Sequence, residues 1–156
     1  MGIMAHVGWG GLAGAAGTTA LNAATYLDMA ARGRPASSTP EDTVEVLAGK
    51  VGVTVPGGED TRPNRLSGLG ALLGTATGVG IGAVFGALRY AGLRLPVPVA
   101  AVAAGGVAMV ASNGSMTALG VTDPREWHAI GWLSDALPHL AYGAVTVATL
   151  HALDRD

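Results

Sequence analysis

No cysteine occurs in the 156 residues, which excludes disulfides and thiolate metal sites and leaves the redox compartment undetermined. Charge is scarce as well. Only 13 % of residues are Asp, Glu, Lys or Arg, against about 25 % in a typical soluble domain. The formal net charge of −2 lacks the basic footprint of a nucleic-acid binder, so no nucleic-acid partner is expected. The GxxxxGK[ST] phosphate loop, the HExxH zinc helix and the GxSxG nucleophile elbow are all missing. Neither a cofactor nor a metal is expected.

What is present is segregated. Residues 1–27, 66–88 and 95–122 contain no Asp, Glu, Lys or Arg, and between Trp127 and Leu153 the single such residue is Asp135. Roughly 20 helical residues cross a hydrocarbon core about 30 Å thick. Each block is long enough, whereas the buried strands of a soluble sheet protein would give apolar runs of only about 4–8 residues. The expected fold is all-α: one membrane domain over residues 1–156, a polytopic four-helix transmembrane bundle with the lipid bilayer as its solvent. Its spans are placed at about 7–29, 66–88, 95–119 and 127–150. The N-terminus MGIMAHVGWGG has no basic stretch before its apolar run, so it reads as the first span and not as a cleaved leader.

A polar excursion, residues 32–65, separates the first two spans. Within it Thr39 suits a helix cap, Pro40 the first helical position, and Glu41 and Asp42 the positive first turn, with Gly49 as the stop. Val44, Leu47 and Val51 give this short helix an amphipathic stripe. Four spans place both termini on one side of the membrane and the excursion, with the 122–126 linker, on the other. Basic residues are in excess on the excursion side (Arg32, Arg34, Lys50, Arg62, Arg65, Arg125, against Arg89, Arg94, Arg155). The positive-inside rule then favours a cytoplasmic excursion and external termini. Trp127 and Trp132 open the last span, where an interfacial aromatic belt would stand.

Two patterns single out residues. The first is a glycine zipper in the second span: Gly70, Gly74, Gly78, Gly82 and Gly86 recur every fourth residue, and the first span offers the partner row Gly10, Gly14, Thr18, Asn22. Lipid gives little hydrophobic drive for helices to associate, so close backbone approach at glycine must supply it. The row reads as packing within the chain, with a homo-oligomer or membrane-protein partner seam as the alternative.

The second pattern lies in the last span, where Asp135 and His139 are one turn apart on one face, flanked by Gly131 and Gly143. An ionisable residue near the bilayer centre costs roughly 2.5–3.5 kcal/mol on insertion scales, so it marks a candidate site. Pro138 cannot donate to the Ser134 carbonyl, which predicts a kink and a local polar site with Ser134 and Tyr142. Asn113, Asn22 and Thr18 are placed to converge on it from other spans. The pair reads either as a hydrogen-bonded register device or as part of a proton, cation or solute path. Ser134, Asp135 and His139 share one helix with Ser134 and Asp135 adjacent, so they cannot form a hydrolytic triad, in which serine and carboxylate flank the imidazole.

The stretches GLAGAAGTTALNAATYLDMA and PHLAYGAVTVA resemble small uncharacterised bacterial inner-membrane proteins of the YagU type. The matching last-helix element is His139, Leu140, Tyr142 and Gly143. The resemblance implies a Gly-rich multi-span bundle in the bacterial inner membrane and brings no catalytic residue with it; the long excursion departs from that pattern. The function expected is a non-enzymatic structural or accessory bundle component. A small transporter or channel using Asp135 and His139 is the alternative, and a membrane enzyme acting on lipid or isoprenoid a third reading.

Overall fold

The charge-free blocks are the bodies of long helices. The computed structural model describes residues 2–154, and among these every regular element is helical. In chain order they are α1 (Ile3–Arg32), α2 (Thr39–Lys50), α3 (Arg62–Tyr90), α4 (Val97–Ala118), a 3₁₀ turn (Pro124–Glu126) and α5 (Ala129–Leu153). α1 and α3 run past the ends of their charge-free blocks, where a basic residue in the last turn, Arg32 in α1 and Arg89 in α3, complements the negative end of the helix dipole. Gly33 closes α1 in the left-handed region at φ 63°, where a Cβ would be strained.

Two expectations for the excursion helix shift by small steps. Thr39 is the first helical residue, and Ser38 precedes it as the N-cap, its hydroxyl donating to the Asp42 carboxylate and accepting no capping bond from a backbone N–H. Gly49 does not stop α2, which runs on to Lys50. The positive φ that reverses the chain falls at Gly52 (72°). Pro138 sits inside α5, which continues helical on both sides of it.

The four long helices close a ring. α1 packs between α3 and α5, α5 also packs on α4, α4 makes a lighter contact back to α3, and α2 lies against α3. Contacts between side chains mark the two ends of this bundle. Arg32 of α1 reaches Ser134 in the second turn of α5, while Arg89 near the end of α3 and His6 of α1 both meet Asp154. Both ends of the described chain therefore lie at one end of the bundle, opposite the excursion.

Small residues set the interhelical distances. A Cβ on Gly82 would stand 2.5 Å from Gly14 Cα and 2.6 Å from its nitrogen; one on Gly10 would stand 2.9 Å from Gly86 N. Gly14 faces the Gly78 carbonyl, and Gly86 faces the His6 carbonyl. Between α4 and α5, Gly143 lies on Ala101 and Gly105, and Gly105 lies on the His139 backbone. Between α1 and α5, Gly17 meets Tyr142 and Thr146. Gly70 packs instead on Pro40 of α2, and Gly74 faces open space.

The buried interior holds Ala13, Ala104, Ala108, Thr18, Thr146 and His139 together with Leu66, Tyr142, Val147 and Leu150, while many large aliphatic side chains, among them Leu72, Val102, Val110 and Leu137, stand outside, 59–72 % exposed. α3 and α4 are long and apolar enough to cross a membrane. α1 and α5 fall short of that apolarity, against the expectation of four such spans. The reason is compositional: Trp9, Thr18, Thr19 and Asn22 lower the mean in α1, and Asp135, Pro138, His139 and Tyr142 lower it in α5.

Candidate functional site

Close approach of α4 and α5 at Gly105 and Gly143 lets short polar side chains bridge them one to two turns away. Asn113 Nδ2 donates to Asp135 Oδ2 at 2.6 Å. His139, one turn beyond Asp135, places Nδ1 2.8 Å from the Asp135 carbonyl oxygen and 3.4 Å from its Oδ1. Both neighbours are acceptors, so Nδ1 carries a proton. The opposite ring nitrogen, Nε2, lies 3.3 Å from Ser112 Oγ. The side chains of His139 and Asp135 are 11 % and 24 % exposed, so the carboxylate is the more open end of the pair.

The remaining expected members go elsewhere. Ser134 accepts from Arg32 Nη1 at 2.5 Å, and Arg32 also holds Asp28 at 3.1 Å, where Arg34 Nε joins at 2.5 Å. That polar knot fastens the end of α1 to α5 next to Asp135 in the chain. Tyr142, 1 % exposed, turns away from α4 and donates its hydroxyl to the Gly78 carbonyl at 2.7 Å. Thr18 donates to the Gly14 carbonyl at 2.9 Å and lies against Gly78, beside Tyr142. Asn22, one turn further along α1, is exposed. The seven residues therefore divide: Asp135, His139 and Asn113 meet, Tyr142 and Thr18 meet at the α1–α3–α5 junction, Ser134 belongs to the Arg32 knot, and Asn22 joins none of them.

No family model, curated protein or solved structure matches the chain. The site is accordingly read from its own geometry.

Three participants were not evident from spacing. Ser112 was hidden beside the more conspicuous Asn113, although both belong to the polar tract ASNGS. Thr146, 0 % exposed, lies one turn past Tyr142, and its hydroxyl finds no partner among the described residues. Arg32 is 102 positions from Ser134, a pairing that helical periodicity does not encode. At the opposite end, Arg89 Nε pairs with Asp154, His6 Nε2 lies 3.3 Å from the same carboxylate, and Arg89 Nη2 is 3.4 Å from His151 Nδ1. Hydrogen bonding from Arg89 holds the Asp154 carboxyl below the usual carboxylate range. In the α4–α5 turn, a shallow depression of about 700 Å³ is lined by Thr117, Thr122, Asp123, Arg125, Glu126 and Trp127, among others. Asp123, hydrogen-bonded by the Arg125 side chain, is lowered to about 2. Trp127 donates to Thr122 at 3.0 Å and meets Trp132 edge-on at 5.2 Å.

Proposed function

We propose that this chain is an integral membrane protein in which α1, α3, α4 and α5 all cross the bilayer, and that it serves as a structural or accessory helical-bundle component, not an enzyme. One observation carries the reading: many large aliphatic side chains stand exposed on the outside of the bundle, while the helix seams are built from Gly, Ala and Thr with His139 buried among them. So many exposed large apolar side chains are uncommon on a water-soluble monomer, and a bundle glued by glycine contacts and interhelical hydrogen bonds is the arrangement that lipid favours. α1 and α5 need less intrinsic apolarity because each packs closely on both of its ring neighbours, whereas α3 and α4 touch each other only lightly.

A bacterial inner membrane suits the resemblance to YagU-type proteins, and the basic excess at the excursion end favours its cytoplasmic placement. Arg155, counted on the opposite side, lies outside the described residues. The absence of native cysteine makes the test direct. Single cysteines replacing Gly2, Ser37, Glu126 and Leu153 are labelled in intact cells with a membrane-impermeant maleimide. Labelling at Gly2 and Leu153 only, with Ser37 and Glu126 reacting after lysis, supports four crossings in this orientation. Equal labelling of Gly2 and Ser37 in intact cells would remove α1 from the set of spans.

The cluster of Asp135, His139, Asn113 and Ser112 favours a second reading, a small proton or cation path. Ionisable groups inside a membrane bundle characteristically serve such routes. Purified protein in liposomes should then pass protons under a pH gradient, and His139→Ala should abolish the flux while leaving the helical content unchanged. Equal flux in wild type and variant would eliminate this reading.

A further inference from the structure

We infer that Ser112, Asp135 and His139 form a reversible proton-binding site in which the Ser112 hydroxyl turns over with the charge on the imidazole. The inference rests on the proton-path reading of the same cluster and names its substrate as the proton, not a metal cation.

The argument follows the donors and acceptors around the ring. Nδ1 faces only acceptors, the Asp135 carbonyl at 2.8 Å and Oδ1 at 3.4 Å, and so keeps its proton in both charge states. Nε2 faces Ser112 Oγ, which also lies 2.8 Å from the Ala108 carbonyl and 3.3 Å from that of Met109. Two arrangements satisfy every group. With the imidazole neutral, the Ser112 hydroxyl donates to Nε2. With the imidazole charged, Nε2–H donates to Ser112 Oγ, and the hydroxyl proton swings to Ala108. A hydronium ion gives one proton to the Nε2 lone pair and leaves as water, and the reverse step restores the start. Neither state strands a buried polar group, which would otherwise cost each state heavily.

Charge accounting points the same way. Asp135 sits on the same helix as His139, and α4 contributes only the neutral Ser112 and Asn113. Residues 66–88 of α3 carry no charged residue, and on α1 Arg32 and Arg34 are both engaged by Asp28, Arg32 also reaching Ser134. In the turn below, Asp123 and Arg125 pair with each other. The cluster thus passes between a net charge of −1 and 0. A metal cation fits it poorly, because the Asn113 amide donates to one carboxylate oxygen and the Nδ1–H lies toward the other.

The test is ¹⁵N-histidine NMR of the whole protein in lipid nanodiscs, titrated between about pH 5 and 9. At high pH His139 should show the Nδ1–H tautomer with Nε2 unprotonated, and acidification should protonate Nε2. Ser112→Ala removes a partner worth more to the charged ring than to the neutral one, so it should lower the proton affinity about fivefold, a fall of about 0.7 pH unit in the midpoint. His6, His128 and His151 should titrate as in wild type, which also certifies the fold. Asp135→Asn, which removes the counter-charge, should lower the affinity by about tenfold or more. An Nε2–H tautomer at high pH, an Nε2 that never protonates, or an unmoved midpoint in Ser112→Ala would each overturn the inference. Protonation without flux in the liposome assay sustains the site and defeats only the path.

Discussion

The glycine row of α3 allows the packing argument to be tested position by position with one chemical change, Gly→Ala. At Gly82 the new methyl would meet backbone on the facing helix, 2.5 Å from Gly14 Cα and 2.6 Å from Gly14 N. Backbone cannot rotate aside. Restoring ordinary contact near 3.5 Å moves α1 and α3 apart by about 1 Å, and a gap of that size forfeits a quarter to a half of each dispersion contact along the seam. Overpacking costs typically 1–3 kcal/mol, partly offset by the roughly 0.8–1.0 kcal/mol by which Ala is the better helix former. With the upper end of that range, as suits a clash against backbone, a net loss of about 2 kcal/mol is expected, roughly a thirtyfold fall in the folding equilibrium. Gly86, against the His6 carbonyl, should behave alike.

At Gly78 the nearest obstruction is the Thr18 hydroxyl, a side chain that can change rotamer, so the loss should be smaller, about 1 kcal/mol. At Gly74, where nothing lies within 4 Å, Ala should be neutral or stabilising. Denaturant titration in bicelles, followed by circular dichroism, measures all four. The reasoning is refuted if Gly74→Ala is as harmful as Gly82→Ala, or if Gly82→Ala costs nothing.

Other outcomes are expected from the same contacts. Tyr142→Phe deletes the hydrogen bond to the Gly78 carbonyl and should cost about 1 kcal/mol in that titration. Asn113→Ala strips the Asp135 carboxylate of its 2.6 Å donor and should cost about 1–3 kcal/mol, with Asn113→Asp worse because it sets two carboxylates together. Asp154 has its carboxyl pKa depressed by Arg89, so its contribution is complete above the unfolded value near 3.8 and fades as the pH falls through the folded one. The acid limb of the pH–stability curve should therefore flatten below about pH 4 in Asp154→Asn.

The four long helices were legible because their bodies are runs almost without charge, and the excursion helix because Pro40, Glu41 and Asp42 fit a helix start. Boundaries moved by a few residues where flanking basic groups extend a helix, as Arg32 and Arg89 do. The glycine row was visible as a row, but its division was not. Each fourth residue drifts about 40° around the axis. Gly82 and Gly86 therefore face α1, Gly78 meets Thr18 and Tyr142, Gly74 turns outward, and Gly70 comes round to α2. The same drift carries Asn22 out of the seam that holds Gly10, Gly14 and Thr18. Asp135 and His139 were apparent from an isolated carboxylate one turn from an imidazole. Of their α4 partners Asn113 was also apparent as a polar residue inside an apolar block, whereas Ser112 depended on which helices become neighbours, and short periodic patterns do not specify that ring order.

The account stands on lipid being the solvent of the outer surface. Nitroxide labels on single cysteines replacing Leu72, Val102, Val110 and Leu137, in protein reconstituted into liposomes, report the local accessibility of oxygen and of a water-soluble nickel chelate. High oxygen collision with protection from nickel at all four positions is the expected result; free access of nickel to them would show these faces to be wet and would contradict the account.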